Sequence, residues 1–269
     1  MNLSISNTSS AARQRYQEQV AELTRRNQER LASGRRIATA ADDSAGLAIA
    51  KRLEAAVRSA DQGSRNLADG QSLVRTAEAA LQSSQDAVGR MRELAVQAQN
   101  GTLSDSDRAT IQEEFDQLAQ QLDQTARGTR FGDRALLDGS VTGDDAITFT
   151  DGDEAGETRL ELQDAGAAAL GVASRSVSDP NTLSALDDAS AMLASERAAL
   201  GAADNSLSAR QEQLAAERAS AEEARSRIED VDVAREVASA TRNQILSGLQ
   251  VQSQRIAEQS RSRLVDLLN

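Results

Sequence analysis

LEAAVRSADQGSRNLADGQSLVRTAEAALQSSQDAVGRMRELAVQA, residues 53–98, carries apolar residues with a strict period of seven: Leu53, Ala60, Leu67, Val74, Leu81, Val88 and Ala95. Three residues beyond each stands a mostly small one: Ala56, Gly63, Gly70, Ala77, Ser84, Met91 and Ala98. A seven-residue repeat describes a helix that packs along one stripe in a left-handed coiled-coil sense, and the small second row allows close approach. Gly63 and Gly70 each cost about 1 kcal/mol against Ala in a helix interior, so close backbone approach is the expected compensation. A matching run, Leu186, Leu193, Leu200, Leu207, Leu214, Ala221 and Ile228, lies far downstream. The two long helices are expected to pair antiparallel, because the chain turns back between them.

Between the long runs the pattern changes. Asn100-Gly101 signals a turn, and Ser104 with Asp107 makes a capping-box-like restart before Ile111, Phe115, Leu118 and Leu122. AITFT and TRLELQ, around the acidic DGDEAGE, read as two short strands. Asp179-Pro180 marks another helix start, with the sole proline tolerated in the first turn.

The ends differ in quality. Residues 1–33 offer Val20, Leu23 and Leu31 but interrupt the stripe with Asn27 and Arg30, and residues 235–263 offer Ile245, Leu249 and Ile256 broken by Gln252 and Arg263. Neither end has the apolar area of a self-sufficient helix. Their order is expected to depend on a partner, either each other or neighbouring copies of the chain.

Composition narrows the function. The 269 residues include three Phe, one Tyr and no Trp, which disfavours a conventional globular interior and suits long helices packed side by side. Histidine and cysteine are both absent, so Ser-His and Cys-His nucleophiles, thiolate sites and H-E-x-x-H are impossible. No phosphate loop, nucleophile elbow or dinucleotide fingerprint is present. The expectation is a non-enzyme with no catalytic, cofactor-binding or metal residues. Asp42 and Asp43 resemble a paired-carboxylate site but lack a third ligand, and both are expected to cap the long helix that follows. Asp144, Asp145, Asp151, Asp153 and Glu154 match no calcium-loop spacing and read as a solvated surface.

The net charge of −12 is unevenly placed: residues 1–40 hold seven Arg against three Glu, and residues 131–181 hold eleven acidic residues against three Arg. The basic end lacks interleaved aromatics and most of the chain repels phosphate, so nucleic acid is not an expected partner. No stretch has the roughly 18 consecutive apolar residues of a membrane span, and the N-terminus lacks a signal-peptide core.

Two ordered blocks then carry a family resemblance. RLASGRRIATAADDSAGLAIAKRL, GSRNLADGQSLVRTAEAAL and RMRELAVQAQNGTLSDSDRATIQEEFDQL at one end, and RASAEEARSRIEDVDVAREVASATRNQIL at the other, resemble bacterial flagellin. The resemblance implies a mainly α fold: an elongated antiparallel helical bundle with a small β-hairpin region, the terminal helices joining as a coiled-coil inner domain. It divides the chain into an inner-tube helix and connector (1–42), outer-tube helices (43–130), a hairpin and acidic loop replacing the variable domain (131–178), a second outer-tube helix (179–230) and a C-terminal inner-tube helix (231–269). The large variable outer domains of many flagellins are missing, and the tail QVQSQRIAEQSRSRLVDLLN is more charged than is usual and lacks the customary proline.

What the resemblance implies functionally is a structural subunit that polymerises with itself into a secreted, extracellular filament for swimming. Its other implied partners are the flagellar export apparatus, the flagellin chaperone, hook-associated junction and cap proteins, and the innate immune receptor for flagellin. Arg35, Arg36, Asp42 and Asp43 are expected at the joint between two layers and at subunit interfaces. Arg90, Leu94 and Glu114 match the receptor-contact and protofilament-interface positions. Ile245, Leu249, Ile256, Leu264, Leu267 and Leu268 are expected to pack the inner tube. A hook-filament junction protein is the nearest rival and a signalling coiled coil a more distant one.

Overall fold

The computed structural model describes residues 2–150 and 157–266, with side chains for 14–150, 157–260, 262 and 263. Five helices account for most of the chain: α1 (Asn2–Ser33), α2 (Ser44–Ala98), α3 (Asp105–Gly128), α4 (Asn181–Glu229) and α5 (Val233–Asp266). Between α3 and α4 lie two small antiparallel hairpins, β1 (Arg130–Phe131) with β2 (Arg134–Ala135), and β3 (Ile147–Phe149) with β4 (Thr158–Leu160). The second hairpin pairs Ile147 with Leu160 and Phe149 with Thr158. The mainly α fold with a small hairpin region agrees with the sequence. The first hairpin, turning at Gly132 with φ +61°, has strands too short to produce an alternating pattern.

The chain divides into two compact units, residues 57–219 and residues 1–56 with 220–269. In the first, Leu67, Val74, Leu81, Val88 and Ala95 of α2, with Ala77, Met91 and Ala98, are buried, as are Leu186, Leu193, Leu200, Leu207 and Leu214 of α4. The seven-residue seam is thus the core. Polar pairs fix its direction: Arg218 to Asp61 (2.9 Å), Gln71 to Ser208 (2.9 Å), Gln85 to Ser190 (2.9 Å) and Arg92 to Asp187 (2.7 Å). As numbers rise along α2 they fall along α4, so the pair is antiparallel.

α3 closes this core with Ile111, Phe115, Leu122 and Ala126. Its start is the expected capping box: the Ser104 hydroxyl accepts from Asp107 N–H (3.2 Å), and Asp107 Oδ2 accepts from Ser104 N–H (3.0 Å). The irregular chain between β2 and α4 contributes Leu136, Leu137, Val141, Leu162, Leu170, Val172 and Val177, all buried in the same cluster. Gln112 ties it to α3, donating to Arg175 O (2.9 Å) and accepting from Val177 N–H (2.8 Å). At Gly70 the close neighbour is the Phe149 ring: a Cβ there would sit 3.0 Å from two of its atoms. The glycine therefore admits the hairpin and not, as the small row suggests, a second helix backbone.

The other unit pairs α1 with α5. Gln17 Nε2 donates to Gln254 Oε1 (3.1 Å), and further along α1 Asn27 meets Glu236 and Asn243, so this pair is antiparallel too. The α1 residues that turn inward are Gln17, Val20, Thr24, Asn27 and Leu31, at coiled-coil spacing, while Leu23 is exposed. Asn27 belongs to the seam and does not interrupt it.

Candidate functional site

The joint between α1 and α2 is built from the chain outward. Gly34 adopts φ +69°, the left-handed conformation that ends α1 without a Cβ penalty. Beyond it the backbone lies against the end of α4: Val231 N–H donates to Gly34 O (3.0 Å), Arg36 N–H to Glu229 O (2.6 Å), and Arg35 forms a β-bridge with Asp230. Arg35 Nη1 also meets the Glu229 carboxylate (3.0 Å), and Arg36 Nη2 donates to Ile228 O. Glu229 is only 6% exposed. A buried carboxylate needs such partners, since leaving it alone there would be costly. Glu229 was not singled out in the sequence; its only signal is its place directly after Ile228, the last residue of the second heptad run.

Ile37, fully buried, follows. A Cβ on Gly46 would lie 2.8 Å from Ile37 Cδ1 and 2.5 Å from Asp43 Oδ2. The glycine of the DDSAGLA stretch is therefore required by packing. The two aspartates divide the work. Asp43 is the N-cap of α2, its Oδ1 accepting from Gly46 N–H (2.9 Å). Asp42 does not cap the helix, which corrects the expectation: its Oδ2 turns back to accept from Thr39 N–H (3.0 Å), Thr39 Oγ1 (3.0 Å) and Ala38 N–H (3.2 Å). The position before an N-cap is too far from the free helix amides, whereas the connector offers donors at once. Those bonds, the Thr39 N–H foremost, hold its carboxyl below the usual carboxylate range. Nearby on α1, Arg25 and Arg26 bracket Glu22 and lower its pKa to about 2.

On α2 and α3, Arg90 Nη2 contacts Glu114 Oε1 (2.9 Å), with Arg90 Nη1 on Glu93 (2.9 Å). Arg90 and Glu114 are about half exposed and form a charged patch bridging two helices. Leu94 does not share that surface. It is 1% exposed and belongs to the core cluster of its own chain. The patch expected from the sequence is corrected accordingly: Leu94 supports the ridge from beneath and presents no side chain to a partner.

On α5, Ile245, Leu249 and Ile256 are 59%, 58% and 58% exposed. At 100° per residue they share one stripe. Glu236, Asn243, Gln250 and Gln254 lie on the far side, toward α1. Asn27, 7% exposed, is the polar centre of that inner face. With its amide turned to suit its neighbours, its nitrogen donates to Glu236 Oε1 (2.8 Å) and Leu23 O (3.1 Å), and its oxygen accepts from Asn243 Nδ2 (3.1 Å). The Leu264 side chain, Leu267 and Leu268 lie outside the described residues, as do Asp151, Asp153 and Glu154 of the acidic loop.

The arrangement organises segments and surfaces: a backbone joint, a charged patch, and an apolar stripe with no partner within its own chain among the described residues. Comparison with known proteins points to one family. A model of the bacterial flagellin N-terminal helical region matches residues 4–142, and one of the bacterial flagellin C-terminal helical region matches residues 183–268. The flagellin of Halalkalibacterium halodurans is 37% identical over 226 residues, spanning 81% of this chain and 82% of that one. That of Bacillus subtilis (strain 168) is 35% identical over 260 residues, spanning 83% and 86%. A crystal structure of Bacillus cereus flagellin, 30% identical, aligns over 56% of this chain and 88% of that chain with a TM-score of 0.48, which adds no weight.

Proposed function

Because the chain belongs to the bacterial flagellin family, we propose a specific division of labour among its surfaces in the flagellar filament. The protein is a structural subunit of that filament and polymerises with copies of itself. The observation that carries the finer reading is the stripe of Ile245, Leu249 and Ile256. Three large apolar side chains stand in water on α5, on the face that α1 leaves uncovered. Fully burying such a side chain gains about 1.5–3 kcal/mol, so neighbouring copies that cover the stripe gain what the single chain forgoes. Contacts of this kind join different faces of successive subunits and extend as an open helix without closing into a ring.

In this reading α1 and α5 form the inner tube and α2, α3 and α4 the outer one. Gly34 to Asp43 is the connector from α1 to α2, and Arg35, Arg36, Asp42 and Asp43 are its interface residues. The subunit leaves the cell through the flagellar export apparatus, escorted by the flagellin chaperone. At the filament ends it meets hook-associated junction and cap proteins. The Arg90–Glu114 patch is the outward ridge that neighbouring protofilaments and the innate immune receptor for flagellin contact.

Seeded polymerisation of the purified chain, followed by electron microscopy, tests the central step. The wild type is expected to form long filaments. Ile245→Ser, Leu249→Ser and Ile256→Ser combined should leave the monomer's helicity unchanged and abolish elongation. Normal filaments from the triple variant would remove the stripe from the assembly mechanism.

A further inference from the structure

Asn100 and Gly101 make the turn between α2 and α3, and this is the one place in the chain where asparagine precedes glycine. Asn100 is exposed. Its Oδ1 accepts two hydrogen bonds from the same residue, Thr102 N–H (3.1 Å) and Thr102 Oγ1 (3.0 Å). Arg108 Nη2 donates to the Asn100 main-chain oxygen (3.3 Å). Among the described residues the Gly101 N–H has no hydrogen-bond acceptor.

Each of these features favours the same bond. Glycine offers no side chain to hinder the approach of its nitrogen to the preceding Cγ. Two donors on Oδ1 polarise the side-chain carbonyl and stabilise the charge that develops there when a nucleophile adds, as an oxyanion hole does. The Arg108 guanidinium sits on the carbonyl conjugated with the Gly101 nitrogen, where it stabilises the deprotonated, nucleophilic amide. The nucleophile is one residue away and needs no partner to deliver it.

We propose that Asn100 is a self-modifying site that converts, through a cyclic imide, to aspartate and isoaspartate. The Gly101 nitrogen loses its proton and bonds to Asn100 Cγ. The Cγ–Nδ2 bond breaks, and Nδ2 leaves with the transferred proton as ammonia. Water then adds to either imide carbonyl. Opening at one side restores the normal main chain with a carboxylate on residue 100; opening at the other routes the main chain through the side-chain carbon and lengthens the turn by one methylene. Either product changes the net charge from −12 to −13, next to Arg108 and ahead of the α3 N-terminus, where negative charge is favoured.

The chain contains its own control. Asp138-Gly139-Ser140 repeats the turn, Asp138 Oδ1 accepting from the Ser140 N–H (3.1 Å) and hydroxyl. There the side chain is a carboxylate held below its ordinary range by the Ser140 bonds, and an ionised carboxylate resists addition. Gly139 is also in the left-handed region at φ +80°. Similar hydrogen bonding thus gives a lasting charge at 138 and a reactive amide at 100.

Ageing the purified full chain in mildly alkaline buffer tests this. The tryptic peptide ELAVQAQNGTLSDSDR, residues 93–108, is followed by mass spectrometry, and isoaspartate by enzymatic methyl transfer. The peptide is expected to gain the amide-to-acid mass and split into two products, well before the peptide holding Asn205. Gly101→Ala is accommodated, since a Cβ there meets nothing within 4 Å, and should nearly stop the conversion. Thr102→Val keeps the backbone donor, loses the hydroxyl, and should slow it about tenfold, the effect of one hydrogen bond in the transition state. Conversion at Asn100 no faster than at Asn205 overturns the proposal. Faster conversion in Thr102→Val also overturns it, because the hydrogen bonds would then be guarding the amide.

Discussion

Two antiparallel helix pairs in this molecule use the same coiled-coil spacing with opposite chemistry. Between α2 and α4 the inward positions are Leu67, Val74, Leu81 and Val88 against Leu186, Leu193, Leu200 and Leu207. Between α1 and α5 they are Gln17, Val20, Thr24, Asn27 and Leu31 against Glu236, Ala240, Asn243, Leu246, Ser247 and Gln250, a mostly polar or small set. The first seam buries apolar area and supplies stability within the chain. The second supplies little area and fixes register through a buried amide, in the way that a polar residue in a coiled-coil seam specifies pairing at a cost in stability. Spacing alone says that helices pair. Residue type says whether the pairing is finished: α5 half-buries Leu246 but leaves Ile245, Leu249 and Ile256 exposed on the side facing away from α1.

The largest expected effect separates the two pairs by truncation. Phe115 is fully buried against the α2/α4 core, so Phe115→Ala should cost about 3–5 kcal/mol in urea unfolding of the monomer. Leu249→Ala on α5 should change monomer stability by no more than about 0.5 kcal/mol, as surface substitutions do. Equal losses would mean that α5 already has a buried apolar partner in the single chain.

The heptads made the α2/α4 pair legible in the sequence, and the glycine, serine and asparagine signals placed the turns. Other parts were hidden for physical reasons. Leu136, Leu162, Leu170 and Val177 enter the core from irregular chain, where no period marks which side chains face inward. At the start of α2 the burial falls on Ala50 and Val57, while Ala56 is exposed, because the residues beyond the outer core follow their own neighbours. Asn27 read as a flaw because its partners, Glu236 and Asn243, lie more than two hundred residues away. Leu94 was grouped with its charged neighbours in RMREL, yet one turn of helix places adjacent residues on different faces.

The second prediction sharpens the role of Asn27. Asn27→Leu with Glu236→Leu and Asn243→Leu should raise the stability of the α1/α5 pair by about 1 kcal/mol, since apolar groups replacing every partner of a buried polar contact are often neutral or better. It should also loosen register. The chain has no cysteine, so engineered disulfides report this cleanly. In the parent, Gln17→Cys should link to Gln254→Cys and not to Ser247→Cys, one heptad away. In the leucine variant both should form. A single product there would show that the polar contact is not what sets the register.

The smallest effect concerns the ridge. Arg90 and Glu114 are close enough for a bidentate-like contact, 2.9 and 3.1 Å from Nη2 and Nε to one carboxylate oxygen. Both side chains remain about half exposed. Exposed pairs of this kind contribute about 0.2–1 kcal/mol, reduced by salt. A double-mutant cycle with Arg90→Ala and Glu114→Ala should fall in that range and shrink at high ionic strength. The core beneath, with Leu94 and Phe115 buried, is then what holds α2 to α3, and the charges are left to meet an incoming surface. A coupling well above that range, or one indifferent to salt, would instead make the pair a structural clasp, with its charge committed inside the subunit and little left to recognise a neighbour.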